Sequence, residues 1–232
     1  NVFIKFAGLA KVNAKREVPV SEILGVDVAY AVTRYPRHPN KAQRAEAEHL
    51  GVLHDQAAAL PPGPERDCLI DEASNLVKAA PRNSQQQRLD SVLTHTKPDG
   101  TQDVRLVDAT LVHTLNKSHS KESMSHQKAV LEGERAHFFD NIPDPTAKTV
   151  HPTLRKAQTN KHVTYKPVIN KANVSNSNFN TKTNLKMYGA AASYFGELSP
   201  DALSLTWWLT DCFRDSIIKK QTPTYGFPVA KL

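Results

Sequence analysis

Residues 88 to 113, RLDSVLTHTKPDGTQDVRLVDATLVH, contain two strand-like runs separated by a turn, and this stretch decides the fold that we predict. Leu89 to His95 and Val104 to Val112 are rich in Val, Leu and Thr, as β-strands are. The KPDG segment between the runs suits a type I turn closed by a G1 bulge, because proline presets φ and glycine tolerates a left-handed conformation. The sequence therefore predicts a hairpin in which Lys97 pairs with Thr101.

That register brings two carboxylates together. Counting back along the ladder from Lys97 and Thr101, Asp90 faces Asp108 on one face of the hairpin. Like charges placed this way repel each other unless a cation or a proton lies between them. We therefore predict Asp90 and Asp108 as the candidate site of the chain.

The composition limits the class of protein. The 232 residues are enough for one large domain or a domain with extensions, and the mean hydropathy of -0.49 is polar for a globular protein. A net charge of +7 favours an anionic partner, either nucleic acid or less specifically an anionic membrane surface. Cys68 and Cys212 are the only cysteines and form no CxxC, which argues against a disulfide scaffold or zinc finger and fits a reducing compartment. No run of about 18 apolar residues occurs, so no transmembrane helix is expected.

The segments around the hairpin predict a mixed α/β fold. We expect an irregular extension over residues 1–40 with one short helix from Ser21 to Arg34, and an irregular tail over residues 219–232. Between them the patterns predict helices over residues 41–60, from Pro64 to about Ala80, over 118–139, over 187–195 and over 200–218, and one further strand over 162–169. The order around the hairpin is helix, strand, strand, helix, strand, helix, which is typical of a mixed sheet with flanking helices.

A long basic stretch follows the hairpin. Residues 145–196 contain eight Lys or Arg and no Asp or Glu. Such a stretch predicts binding along a phosphate backbone of RNA or DNA, without sequence preference because no base-reading motif is present. A solvated basic surface and contact with an acidic protein are the alternatives. The predicted nucleic-acid ligands are Arg155, Lys156, Lys161, Lys166, Lys171, Lys182 and Lys186.

Five segments occur in an order that matches a known family. They are RLD (88–90), LVDATLVH (106–113), AVLEGERAHFF (129–139), TYKPV (164–168) and SYFGELSPDAL (193–203). They resemble motifs of the restriction-endonuclease-like domain, of the PD-(D/E)xK class, at the C-terminal end of non-LTR retrotransposon reverse transcriptases. The resemblance implies a restriction-endonuclease-like mixed sheet over residues 41–218, with basic insertions at about 140–160 and 170–184.

The resemblance also implies a set of site residues. In such a nuclease Asp90 and Asp108 hold Mg²⁺, and a lysine of the helix after the second strand assists the reaction. This chain has Arg135 at the lysine position, so Lys128 is the nearby catalytic candidate. His113 matches the family's histidine, for which a hydrogen-bonded role at the strand end is commoner than catalysis. The Trp207-Trp208 pair is predicted to belong to the core rather than to a base-stacking platform.

Three functions follow from these features. The first is a diverged, inactive copy that serves as an RNA-contacting structural subunit of a large ribonucleoprotein such as an organellar ribosome, together with other protein subunits; the lost lysine and the polar insertions favour it. The second is an active Mg²⁺-dependent DNA endonuclease of a retroelement, which the intact Asp90 and Asp108 favour. The third is a protein-binding scaffold of another assembly. A mitochondrial or other organellar location fits the first, and a nuclear location the second. The chain begins at Asn1 without methionine, which we interpret as a fragment or a processed product.

Overall fold

The computed structural model describes residues 2–79, 85–97, 99–113, 150–175, 183–194 and 196–221. The helices are α1 (Val2–Leu9), α2 (Val20–Leu24), α3 (Val28–Arg34), α4 (Lys41–Ala59), α5 (Pro64–Ala79), α6 (Pro152–Ser175) and α7 (Pro200–Gln221). The strands are β1 (Asn13–Pro19), β2 (Arg88–Thr96), β3 (Gln102–Val112) and β4 (Thr183–Ser193). The helix predicted over 118–139 and the residues of the tail beyond 221 lie outside the described residues.

The described strands form one mixed sheet in the order β1-β2-β3-β4. β2 and β3 are antiparallel, whereas β3 and β4 are parallel. α6 lies in the connection between the parallel strands, as parallel pairing requires a crossover. The prediction of a mixed α/β fold with flanking helices is confirmed.

The hairpin forms with the predicted register. Pairing runs from Ser91–Val107 to Thr96–Gln102. At the turn the Lys97 amide donates to the Thr101 carbonyl at 2.8 Å, and Gly100 has a φ of 82°. A left-handed φ is what a G1 bulge demands of its glycine. Local turn chemistry therefore fixed the register correctly.

A helix is predicted over residues 187–195, but residues 187–193 instead form most of β4. β4 pairs with β3 from Gln102–Thr183 to Val112–Ser193, and its residues 187–191 are buried. Alanine is the best helix former, which misled the local prediction. A parallel strand covered on both faces is a continuous apolar run, and this tertiary setting outweighs the helix propensity.

Residues 162–169, predicted as a strand, lie inside α6. The buried side chains of this helix are Leu154, Tyr165, Val168 and Ala172, which recur at helical intervals. Pro167 is inside the helix and exposed. Packing of the buried stripe outweighs both the β-propensity of Val and Thr and the cost of an interior proline, about 3 kcal/mol. The insertions that the resemblance implies at about 140–160 and 170–184 stay a prediction; where they are described, residues 152–160 and 170–175 belong to α6 and β4 begins at Thr183.

The first 40 residues are not an irregular extension. They contribute α1, β1, α2 and α3, and β1 is a strand of the sheet. Ala7, Ala10 and Val12 are buried in the core beside β3 and β4. The prediction failed because single short elements carry weak local signals, and their order comes from packing.

The chain divides into two compact units. The first comprises residues 1–15, 91–167 and 182–232, and its core joins Leu93, Val107 and Tyr188 of the sheet to Leu205 and Leu209 of α7. The second comprises residues 16–90 and 168–181. Its core lies between α4 and α5, where Leu50 and Leu53 pack against Ala73. The capping box of Asn40 with Gln43 starts α4, as predicted from Asn40.

The outer edge of β4 is covered by the segment that leads into α7. The amide of Ala191 donates to Ser199 Oγ at 3.0 Å, and the amide of Ser199 donates to the Ala191 carbonyl at 2.8 Å. The amide of Ser193 donates to the Glu197 carbonyl at 2.8 Å. This cover uses the hydrogen-bonding groups of a strand edge that would otherwise pair with another chain.

Candidate functional site

Asp108 of β3 is paired with Lys161 of α6. The Lys161 Nζ donates to Asp108 Oδ2 at 2.9 Å, and the two side chains are 29% and 10% exposed. Asp108 lies next to the parallel strand, in register with Gly189. The pair is therefore largely removed from water. It places a carboxylate and an ammonium side by side on the surface of the sheet.

Gly189 allows α6 to lie close to the sheet at this point. A Cβ on Gly189 would come 2.8 Å from the Gln158 carbonyl oxygen and 3.0 Å from the Lys161 Cβ. Real Cβ atoms do not approach a backbone oxygen so closely, so any side chain here would push the helix away. The glycine is therefore part of what brings Lys161 within reach of Asp108.

A second polar group lies beside Lys161, where His162 of α6 meets Asp201 of α7. Asp201 Oδ2 accepts a hydrogen bond from the Gly189 amide at 2.8 Å and lies 2.5 Å from His162 Nε2. The Asp201 amide donates to Gln158 Oε1 at 3.2 Å. Asp201, in the first turn of α7, is thus joined both to β4 and to the turn of α6 that carries Lys161.

The predicted pairing of Asp90 with Asp108 stays a prediction. The described register ends at Ser91–Val107, and Asp90 belongs to the second unit whereas Asp108 belongs to the first. Asp90 is exposed and Asp108 is buried. The catalytic candidate Lys128, like Arg135, lies outside the described residues.

Sequence reasoning missed the role of Lys161 beside Asp108. It assigned Lys161 to nucleic-acid binding because the residue lies in the basic stretch, and it sought a partner for the carboxylates nearer in the chain. The signal was present, because Lys161 stands seven residues after Leu154 and four before Tyr165, on the buried stripe of α6. A lysine on the apolar stripe of a helix calls for a carboxylate partner.

The other predicted nucleic-acid ligands are distributed along α6 and β4. Lys156 and Lys166 are exposed, and Arg155 is half-buried. Lys171 donates to the Tyr30 hydroxyl at 3.0 Å, within the second unit. Lys186 lies over the Tyr188 ring at 5.0 Å from its centre. Lys182 lies outside the described residues.

The Lys171 environment also affects a histidine. His54 meets the Tyr30 ring edge-on, with ring centres 5.1 Å apart. Burial, and secondly the positive charge of Lys171, lower the pKa of His54 below its ordinary value. Both effects favour the neutral form of His54 at neutral pH.

The aromatic side chains divide between core and surface. Trp208 is partly buried, with the Arg105 guanidinium 5.0 Å from its ring centre and its Nε1 donating to Asp103 Oδ2 at 3.4 Å. The core prediction is thus correct for Trp208 and wrong for Trp207, which is 64% exposed. His113 follows β3 and lies 5.4 Å from the Tyr194 ring, both being exposed.

Clusters of side chains that could bind a metal ion do not occur among the described residues, where no group of three or more His, Cys, Asp or Glu side chains converges. None of the described helices has the length and apolar character needed to span a membrane. No known protein family, curated protein or solved structure matches the chain.

Proposed function

We propose that the chain is a nucleic-acid-binding protein with a restriction-endonuclease-like fold, and that Asp108 and Lys161 form the centre of a Mg²⁺-dependent DNA endonuclease. One observation carries the proposal, namely the 2.9 Å contact between the Lys161 ammonium and the Asp108 carboxylate on the sheet surface. The substitution of the family's lysine by Arg135 argued for an inactive copy. Lys161 removes that argument, because a lysine reaches the carboxylate from another position.

The residues at the centre fit Mg²⁺. Carboxylate oxygen is the ligand that this ion prefers, and one or two carboxylates with water and substrate phosphate are its usual shell in proteins. Asp108 would hold the ion. When bound, Mg²⁺ supplies polarisation of the scissile phosphate and a water molecule of lowered pKa.

Lys161 adds a positive charge and hydrogen-bond donors beside the Asp108 carboxylate. Its ammonium is a compact positive charge with three donors, and it lies where a phosphate approaching Asp108 would meet it. Such a donor stabilises negative charge that develops on phosphate oxygens, an effect that is strongest in a site partly removed from water. Lys161 would therefore bind the phosphate and stabilise its charge, while Asp108 keeps the lysine oriented.

α6 also offers an exposed basic face, away from the side that meets Asp108, to a nucleic-acid backbone. The helix contains no Asp or Glu over residues 152–175, and Lys156 and Lys166 are exposed five residues on either side of Lys161. Lysines in this arrangement contact phosphates without reading bases. The expected substrate is thus DNA or RNA bound with little sequence preference.

The carboxylate-free helix also supports a second function, an inactive RNA-contacting subunit of a ribonucleoprotein such as an organellar ribosome. Backbone binding through Lys156 and Lys166 needs no cleavage chemistry. Both functions share the binding surface of α6 and differ in what Asp108 does. A contact with an acidic protein would use the same lysines and is an outcome of the test below.

The test is nicking of supercoiled DNA in Mg²⁺ by the wild type and by Asp108→Asn, with Asp71→Asn on the exposed face of α5 as the matched control. We expect Asp108→Asn to lower the rate about 100-fold or more while Asp71→Asn cleaves normally. Binding of RNA without cleavage of DNA by the wild type would support the second function. Absence of both binding and cleavage would contradict both functions and leave the protein scaffold.

A further inference from the structure

The carboxylate of Asp201 is not used to cap its own helix. Ser199 is the residue before α7, and its Oγ accepts from the Ala202 amide at 3.3 Å, which is the ordinary N-cap contact. Asp201 instead directs its carboxylate to the Gly189 amide and to His162. The side chain is 17% exposed, so these contacts replace most of its contact with water. The hydrogen bonds of this carboxylate therefore join α7 to α6 and β4 rather than close the end of α7.

The contacts of Asp201 fix the rotation of α6 about its axis. His162 and Gln158 are four residues apart and therefore lie on one face of the helix. His162 is bound by the Asp201 carboxylate, and Gln158 accepts from the Asp201 amide. Each residue advances a helix by about 100° of rotation, so two fixed points one turn apart leave little freedom to turn.

The third contact ties this clamp to the strand beside Asp108. Gly189 is the cross-strand partner of Asp108, and its amide donates to Asp201. α6 and β4 are thus joined by one carboxylate at the level where Lys161 meets Asp108. A rotation of α6 or a shift away from β4 would carry the lysine off its partner.

We propose that Asp201, acting through His162 and Gln158, is the positioning residue for Lys161. The consequence for cleavage rests on the proposed function, whereas the consequence for the Lys161–Asp108 contact does not. Asp201 touches neither the phosphate nor Asp108 in this account. It sets the place from which Lys161 acts.

The reactivity of the Lys161 amine tests the clamp without any need for activity. In the folded protein, acylation of Lys161 by an amine-reactive ester is measured by peptide mass spectrometry, with the exposed Lys166 of the same helix as the internal reference. Asp201→Ala should raise the labelling rate of Lys161 several-fold and leave that of Lys166 unchanged. Asp201→Asn retains an amide oxygen that can accept from both the Gly189 amide and His162 Nε2, so it should restore protection.

Steady-state nicking in Mg²⁺ supplies the second readout. Asp201→Ala should lower kcat on the order of 10-fold with KM within about twofold of the wild type, because small misplacements of a catalytic group reduce the rate of chemistry. Should Asp201→Ala not fold, His162→Ala removes one arm of the clamp and carries the same expectation for Lys161 labelling.

Unchanged Lys161 labelling in a folded Asp201→Ala or His162→Ala protein would overturn the proposal. A general loss of structure would also raise the labelling of Lys171, which is half-buried on the same helix and bound to Tyr30, and that result would overturn the proposal too. Selective exposure of Lys161 in a protein whose wild type does not cleave DNA would uphold the clamp and refute the endonuclease.

Discussion

Asp103 and Asp108 are both buried carboxylates of β3, yet their side chains lie on opposite faces of the sheet because five positions separate them. Asp103 is enclosed by Arg105 at 3.2 Å, Lys97 at 3.3 Å and the Trp208 indole. This network satisfies the carboxylate completely and stabilises the fold. Asp108 has Lys161 beside it on the other face, where α6 crosses the strand. Both residues are aspartates, so the sequence alone does not separate a structural role for Asp103 from a site role for Asp108. Their surroundings in the fold do.

Asp103 makes the stability of the first unit depend on acid pH. Burial alone would raise the pKa of this carboxyl, but the Arg105 guanidinium and hydrogen bonds from Trp208 and Lys97 outweigh burial and hold the pKa below its ordinary value. Since the folded pKa is lower than the unfolded pKa of about 3.9, the stabilisation is complete above that pH and is lost as pH falls through the folded pKa. Urea unfolding of the wild type and Asp103→Asn should differ most at neutral pH and converge below about pH 4. A difference that stays constant from pH 7 to pH 2 would contradict this account.

At the scale of elements, local chemistry predicted what local interactions build. The hairpin and α4 were correct because the G1 turn at Gly100 and the capping box at Asn40 are completed within a few residues. α6 and β4 were assigned the wrong way round, since their conformations depend on what covers them. Lys161 lies 53 residues from Asp108, and no local pattern specifies a contact over that distance.

A substitution at Gly189 tests the packing of α6 on β4. Gly189→Ala places a methyl group 2.8 Å from the Gln158 carbonyl oxygen, so the helix must move. We expect a loss of about 1–3 kcal/mol in the free energy of unfolding, as is usual for overpacking. The control is Gly8→Ala in α1, where a methyl group meets nothing within 4 Å. Equal stability of the two variants in urea would show that α6 is not in close contact with β4.

At the scale of the whole molecule, the net charge of +7 predicted an anionic partner but not the residues that meet it. The structure narrows the set for the flanking backbone, because Lys171 donates to Tyr30 and Lys161 lies beside Asp108, where it would meet the scissile phosphate instead. Lys156 and Lys166 remain as exposed candidates on α6. Composition thus indicates the class of partner, whereas the contacts of each lysine within the protein indicate whether it can bind that partner.

The salt dependence of binding tests that assignment. Each phosphate contact on duplex DNA contributes about 0.9 to the slope of log affinity against log salt concentration. Replacing Lys156 and Lys166 together by Gln should reduce that slope by about 2, whereas replacing the exposed Lys41 and Lys78 of the second unit should leave it unchanged. An unaltered slope in the Lys156/Lys166 variant would remove this helix from the interface.

The central claim, that Asp108 and Lys161 form a phosphodiesterase centre, is tested most directly by the cleavage rate of Lys161→Met in Mg²⁺. The matched control is Lys41→Met, an exposed lysine of α4 far from this centre in sequence. We predict that Lys161→Met folds, binds DNA and loses about 100-fold or more of the nicking rate, while Lys41→Met cleaves like the wild type. Wild-type cleavage by Lys161→Met would contradict the claim.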